Sequence, residues 1–244
     1  MQQIKNYADS RLINGCIYCG GPQETREHIP SKIFLNKPFP ENLPVMPACR
    51  KCNNDFSLNE EYVACLISCM NSGSTEPEKI TDERVSKILK AKPRLRALLE
   101  SIKQEKNGTI SFGLDKGRFI KIIHKLALGH ASFELSTVLR EEPEDIKFWY
   151  LSSMTDEDRE DFERPELLEI LGEVGARKSQ RIDIAEVNLI NISTGEPLTI
   201  PMIINDWIEV QENKYRYHTI EDADKITIKI VFSEFLACQV IWKI

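Results

Sequence analysis

Four cysteines fall into two pairs of identical spacing, Cys16 and Cys19 in "CIYC" and Cys49 and Cys52 in "CRKC". Thiolates separated by two residues reach one ion from a single tight turn, and two such turns complete the sulfur tetrahedron that zinc prefers. This spacing predicts a structural zinc site. The remaining three of the seven cysteines, Cys65, Cys69 and Cys238, lie scattered in apolar surroundings, which is no disulfide framework. Between the pairs runs a long segment with polar groups that a plain zinc ribbon does not need. Glu27 is followed by His28, Asn42 comes later, and Asn53 directly follows the last cysteine of the second pair. A histidine in a strand has ordinary structural uses, so its meaning depends on the elements that carry it.

Those elements can be read from hydrophobic spacing. A helix is expected from near Arg50, with Phe56, Tyr62, Val63, Leu66 and Ile67 forming a buried stripe. It should stop at "MNSGSTEPEK", where Asn, Gly, Ser and Pro interrupt the pattern. That stretch sets an expected boundary between a small module, residues 1–72, and a second domain, residues 75–244. In the second domain "TDERVSKILKAKPRLRALLESIKQ" predicts two helices, with Pro93 in the first turn of the second. "GRFIKIIHKLALGHASFELSTVLREE" predicts a long helix with Phe119, Ile122, Ile123, Leu126 and Phe133 on one side. "GTISFGL" and "IKFWYL" read as short strands, and "DEDREDFERPELLEILGEV" as helix. The last region is strand-rich: "DIAEVNLINI" alternates, "TGEP" turns and "LTIPMII" follows. "IEVQENKYRYHTI" predicts a hairpin around Glu212-Asn213, and "KITIKIVFSEFLACQVIWKI" gives two further strands or one long bent one. No internal repeat or low-complexity segment occurs. The expected class is α+β, a small N-terminal ββα-type zinc module followed by a mixed helical and antiparallel-strand domain.

The bulk properties are those of an ordinary globular chain: 244 residues, 41% hydrophobic and 29% charged. A formal net charge of −6 argues against indiscriminate binding to nucleic acid through total charge. A local basic face stays open, and Arg26, Lys32, Lys37, Arg50 and Lys51 cluster around the residues named above. No apolar run is long enough to span a bilayer, so no membrane partner is expected. The opening "MQQIKNYADSRLING" lacks the apolar core of a signal peptide, which makes the cytoplasm the expected location.

Taken in order, "CIYCGGPQETREHIPSKIF", Asn42 and "CRKCNNDFS" resemble the HNH endonuclease family. Its ββα-metal fold carries an acidic–His pair on the first strand, an Asn in the following loop, and His or Asn at the start of the helix. Many members clamp the module with two Cys-x-x-C pairs and structural zinc. The resemblance spans about residues 14–62. It implies that His28 is the general base, that Asn42 orients it through the loop backbone, and that Glu27 and Asn53 ligate a catalytic divalent ion. Asn54 takes that place if the register slips by one. Asn53 stands where the family name has a final histidine, as in the HNN variants that include HNH domains of CRISPR effector nucleases. Glu27 replaces the more familiar aspartate and is longer by one methylene.

The implied reaction is phosphodiester hydrolysis of nucleic acid, with DNA as the substrate by resemblance. It needs an activated water and a cation at the leaving oxygen. Neutral imidazole, with an ordinary pKa of about 6.5, can take the water's proton near physiological pH. Mg²⁺ or Mn²⁺ prefers the oxygen ligands that Glu27 and Asn53 supply, whereas the thiolates select zinc. By analogy, a small nuclease module joined to a second domain is often an effector in bacterial defence against phage, or part of a restriction system. The competing reading is a non-catalytic zinc module that binds nucleic acid or protein. A third is an effector held silent until a regulatory protein or small ligand engages residues 75–244.

The other reactive side chains read as structure. Cys65 and Cys69 lie four apart among apolar neighbours, as core thiols do, and Cys238 in "FLACQVIW" is likewise core. His124 and His130 are six apart and do not share a helix face, and His218 stands alone in a strand. The aromatic residues of "WIEVQENKYRYH" suit cross-strand packing better than base stacking.

Overall fold

The computed structural model describes residues 14–167, 177 and 183–244. It begins with an antiparallel pair, β1 (Thr25–His28) and β2 (Val45–Ala48), that leads into the long helix α1 (Arg50–Ser72). The N-cap of α1 is a cysteine: the Cys49 sulfur accepts the Cys52 backbone N–H at 3.3 Å. The other end closes through Gly73 in the left-handed region, with its N–H on Met70 O and the Ser74 N–H on Cys69 O. This is the capping geometry that favours glycine.

Helices α2 (Glu83–Ala91) and α3 (Pro93–Ser101) follow, and Asp82 caps α2 by accepting the Arg84 and Val85 N–H groups. A small hairpin, β3 (Lys103–Lys106) and β4 (Thr109–Phe112), precedes α4 (Lys116–Glu134). Only its second strand is expected from apolar pattern. The first, "KQEK", is wholly polar, and the signal it did carry is the turn dipeptide Asn107-Gly108, both residues having positive φ. Strand β5 (Asp145–Tyr150) and helix α5 (Asp156–Glu163) come next. The helix expected to run through "RPELLEILGEV" ends before Pro165 and passes into a two-residue strand, β6 (Glu166–Leu167); the rest of that stretch lies outside the described residues. So does the start of the N-terminal module, residues 1–13.

The remaining strands are β7 (Asp183–Ile190), β8 (Pro197–Asn205), β9 (Ile208–Gln211), β10 (Tyr215–Glu221), β11 (Lys225–Phe232) and β12 (Leu236–Lys243). A five-stranded antiparallel sheet has the order β5-β12-β11-β10-β9, and β6, β8 and β7 form a smaller sheet. The fold is α+β. Asn213 takes positive φ in the hairpin turn expected at that point, and Ser233 and Glu234 do so between β11 and β12, which are two strands.

Helix α4 joins these parts. Every residue from Lys125 to Glu134 is buried, because the helix packs on α1 and β2 as well as on the large sheet. Phe119 meets Phe148 of β5 edge to face at 5.0 Å, and His130 stacks on Tyr217 of β10 at 3.7 Å. At Gly129 an added Cβ would come within 2.5 Å of Ile29 Cδ1, so the missing side chain is what admits the loop after β1.

One hydrophobic cluster therefore runs from Phe34 and Leu43 through α1 and α4 to Trp242. Phe34 touches Phe232, and the Gln211 side chain bonds the backbone of Asn36 and Pro38. The breaker residues after Ser72 mark the end of a helix, not a gap between two cores. Among the described residues, buried side chains on both sides of Ser72 share one interior. Cys65, Cys69 and Cys238 are buried in it as thiols.

Candidate functional site

The turn that holds the first cysteine pair depends on backbone geometry. Gly15 and Gly20 have positive φ, and a Cβ on Gly15 would lie 2.7 Å from Gly21 O. The Cys16 N–H bonds Gly21 O, the Gly20 N–H bonds Cys16 O, and the Gly21 N–H points at the Cys19 sulfur, 3.4 Å away. The second pair sits at the N-terminus of α1, where backbone N–H groups and the helix dipole favour negative charge.

The four ligand sulfurs all lie within 4.8 Å of one another. Cys19 and Cys49 are separated by 3.6 Å, too far for a disulfide and close to the sulfur separation of about 3.8 Å that a tetrahedral ion with ~2.3 Å bonds imposes. The Cys52 backbone N–H holds the Cys49 thiol down to about 7. Burial, and then the neighbouring Cys49 and Cys19, push the Cys52 thiol up. Four adjacent sulfurs cannot all become anions without a cation among them, and the donor set is compatible with zinc. Among the described residues no other group of three or more His, Cys, Asp or Glu side chains is gathered for a metal.

Glu27 and His28 are consecutive on β1, so their side chains leave on opposite faces. Glu27 turns inward and is 6% exposed. Its Oε1 accepts Lys125 Nζ at 2.9 Å and Ser31 Oγ at 3.0 Å. Lys125, 1% exposed on α4, also donates to Ser31 Oγ at 2.8 Å and to Glu60 Oε1 of α1. All three ammonium protons thus have acceptors, and two acids share one buried cation. The Tyr18 hydroxyl lies near this group without a hydrogen-bond partner among the described residues. Burial pushes that phenol well above its ordinary value, and Glu27 and Glu60 push it further.

His28 is half-buried on the other face. Burial lowers its pKa below 6.5, and the positive charge of Lys32 lowers it further. Asn53, in the first turn of α1, donates its Nδ2 to Thr25 Oγ1 at 3.2 Å, so its carbonyl oxygen is the atom turned toward other partners. Thr25 and Glu27 share a face of β1, which puts Asn53 on the Glu27 side of the hairpin rather than on the His28 side. Asn54 is exposed. Asn42 lies in an exposed turn, and the bond that ties its loop to the residue after His28 is a backbone one, Ile29 N–H to Pro44 O at 2.9 Å.

The structure thus gathers the four cysteines, and separately Glu27 with Ser31 and Lys125, while Asn53 bonds Thr25 and the charge of Lys32 acts on His28. Ser31, Glu60 and Lys125 had no signal in the sequence: Lys125 meets Glu27 across 98 positions, through the packing of α4. The remaining histidines are structural. His130 bonds the Tyr215 hydroxyl at 2.8 Å, His218 faces Asn205, and His124 lies against Trp242. Among the described residues no helix is long and apolar enough to cross a membrane. No protein-family model, curated protein or solved structure matches the chain.

Proposed function

We propose that this protein hydrolyses phosphodiester bonds of nucleic acid, DNA above RNA, with His28 as general base. The observation that carries this reading is the setting of His28, an accessible imidazole whose charged form is disfavoured by burial and by Lys32. A ring kept neutral can accept a proton from a water that attacks phosphorus. Lys32 and Lys37, on the loop after β1, offer positive charge to the phosphates beside it. Zinc on Cys16, Cys19, Cys49 and Cys52 holds the hairpin against the start of α1. The second carboxylate oxygen of Glu27 and the carbonyl oxygen of Asn53 are the groups this chain offers to Mg²⁺ or Mn²⁺, which when bound stabilises charge on the leaving oxygen. Lys125 fixes the Glu27 carboxylate in one orientation.

One observation favours the non-catalytic alternative. Glu27 already has a cation in Lys125, which weakens its claim on a second one. Under that reading the module binds nucleic acid through zinc-ordered loops and cuts nothing.

Cleavage of plasmid DNA by the purified protein, with and without Mg²⁺ or Mn²⁺, separates the two. His28→Ala should lower the rate by roughly 10²–10⁴-fold and leave zinc content unchanged. Asn53→Ala should also slow cleavage and be partly rescued by more divalent ion. A wild type that binds DNA and never cuts would count for the binding reading, and a His28→Ala protein that cuts normally would remove His28 from the chemistry.

A further inference from the structure

At Lys32, whose charge also acts on His28, the surface opens into a cleft of about 650 Å³ whose walls come from both sides of the sequence boundary at Ser72. Lys32, Lys37 and Phe39 line one wall, and Glu83, Arg84 and Lys87 of α2 line the other. Four cations face one acid there, in a chain whose formal net charge is −6. The acid is itself paired, since Glu83 meets Lys87 at 3.5 Å. Such local concentration of positive charge against the overall balance is what a polyanion site requires.

The cleft is also held in shape. Arg84 Nη1 donates to Lys32 O at 2.7 Å, which braces α2 against the loop and leaves the rest of the guanidinium fork for a ligand. Gln211 of β9 clamps the same loop through Asn36 and Pro38, and Lys214 holds the Asp82 cap of α2 at 2.5 Å. Lys32 Nζ lies 5.5 Å from the centre of the half-buried Phe39 ring, so an aromatic surface and a cation are presented together. Aromatic and cationic side chains on a groove of this kind are the means by which single strands are bound without base-specific hydrogen bonds.

We propose that this cleft binds the sugar–phosphate backbone of a single nucleic-acid strand, with Arg84 and Lys87 of α2 completing a phosphate track that starts at Lys32. Its volume is that of a site for a small ligand or a few linked nucleotides, not for the full width of a duplex. The proposal rests on the nucleic-acid reading of His28 and gives α2 the task of selecting unpaired strands near it. Arg84 and Lys87 lie outside the segment that resembles a nuclease, so pattern in that segment could not have shown them.

Binding of a fluorescein-labelled oligothymidylate to the full chain, by anisotropy in buffer without added divalent ions, tests this directly. The strand should bind at least about 10-fold more tightly than the same oligonucleotide in a duplex. Four phosphate contacts predict a slope of log affinity against log salt near −3. Arg84→Glu with Lys87→Glu should weaken binding at least about 10-fold and lower that slope by about 1.4, with zinc content unchanged. Lys147→Glu with Arg159→Glu, on β5 and α5, makes the same charge change outside the cleft and should have a much smaller effect. Equal loss in both double variants would overturn the proposal, because total charge would then explain binding. Tighter binding of duplex, or equal competition by thymidine monophosphate, would overturn it too. Loss of binding at α2 with a wild type that never cuts leaves the cleft standing and removes the nuclease reading. Cleavage that ignores both α2 reversals does the opposite.

Discussion

The four cysteines and the Glu27–Glu60 pair are both clusters of acidic groups that need a cation, and they obtain it differently. The cysteines come from two short segments, 16–19 and 49–52, and their clustered sulfurs are compatible with a zinc ion from solution. The carboxylates come from β1 and α1 and receive Lys125 from α4, so the chain supplies its own charge. The first cluster brings together two segments whose turns are set locally. The second forms only when the whole core closes. One is a ligand site, and the other is a clamp that ties the hairpin to the centre of the protein.

Removing zinc should give the largest effect. Structural zinc contributes on the order of 10 kcal/mol in small modules, so a chelator or Cys49→Ser should unfold the loops around β1 and β2. The shared core makes the loss local. Hydrogen exchange should speed up through residues 14–52, while α4 and the five-stranded sheet stay protected. Unchanged protection in 14–52 would mean that no ion holds the cysteines, and global unfolding would mean that these loops and the shared core unfold as one unit.

Lys125→Met should be next, at about 3–5 kcal/mol in denaturant unfolding, because it leaves buried Glu27 and partly buried Glu60 without a cation. Adding Glu27→Gln and Glu60→Gln should recover most of that loss. A Lys125→Met protein as stable as wild type would show that the clamp is not a buried ionic group. Gly129→Ala is expected to cost about 1 kcal/mol: alanine favours the helix, but its Cβ meets Ile29 in a packed interior. Ile29→Val should then cost less in the Gly129→Ala background than in wild type, the coupling expected of residues in contact.

The smallest expected effect is a titration. Ring-proton resonances of His28 and His124 should titrate below 6.5, since burial disfavours the imidazolium in both and Lys32 adds to it at His28, while Glu142 opposes it at His124. With the folded value below the unfolded one, each ring contributes stability that is present above pH 6.5 and lost as pH falls through the lowered value. A midpoint at or above 6.5 for His28 would remove the argument that it is held neutral.

Helices α1 and α4 could be read directly, because a buried stripe at 3–4 spacing appears whatever it packs against. The β9–β10 hairpin could be read for a similar reason, from alternation and turn residues, whereas β11 and β12 could equally be read as one long bent strand. The expected boundary at Ser72 is crossed by one hydrophobic cluster. Gly73 and its neighbours end a helix locally, and no local signal tells whether the next helix returns to the same core. Strand β3 was missed for the converse reason: an exposed polar strand has no apolar pattern, although its Asn-Gly turn was visible.

At the site the division follows range. Cys-x-x-C spacing specifies a tight turn and its ligands within four residues, so the sulfur cluster is written into the chain. The neighbours of Glu27 and His28 are not. Adjacent in sequence, they leave β1 on opposite faces, one toward Lys125 and the other toward Lys32. Which cation each residue meets depends on where α4 and α2 come to rest. That is decided by burial of a shared apolar core, a non-directional force that carries charged side chains with the helices it packs.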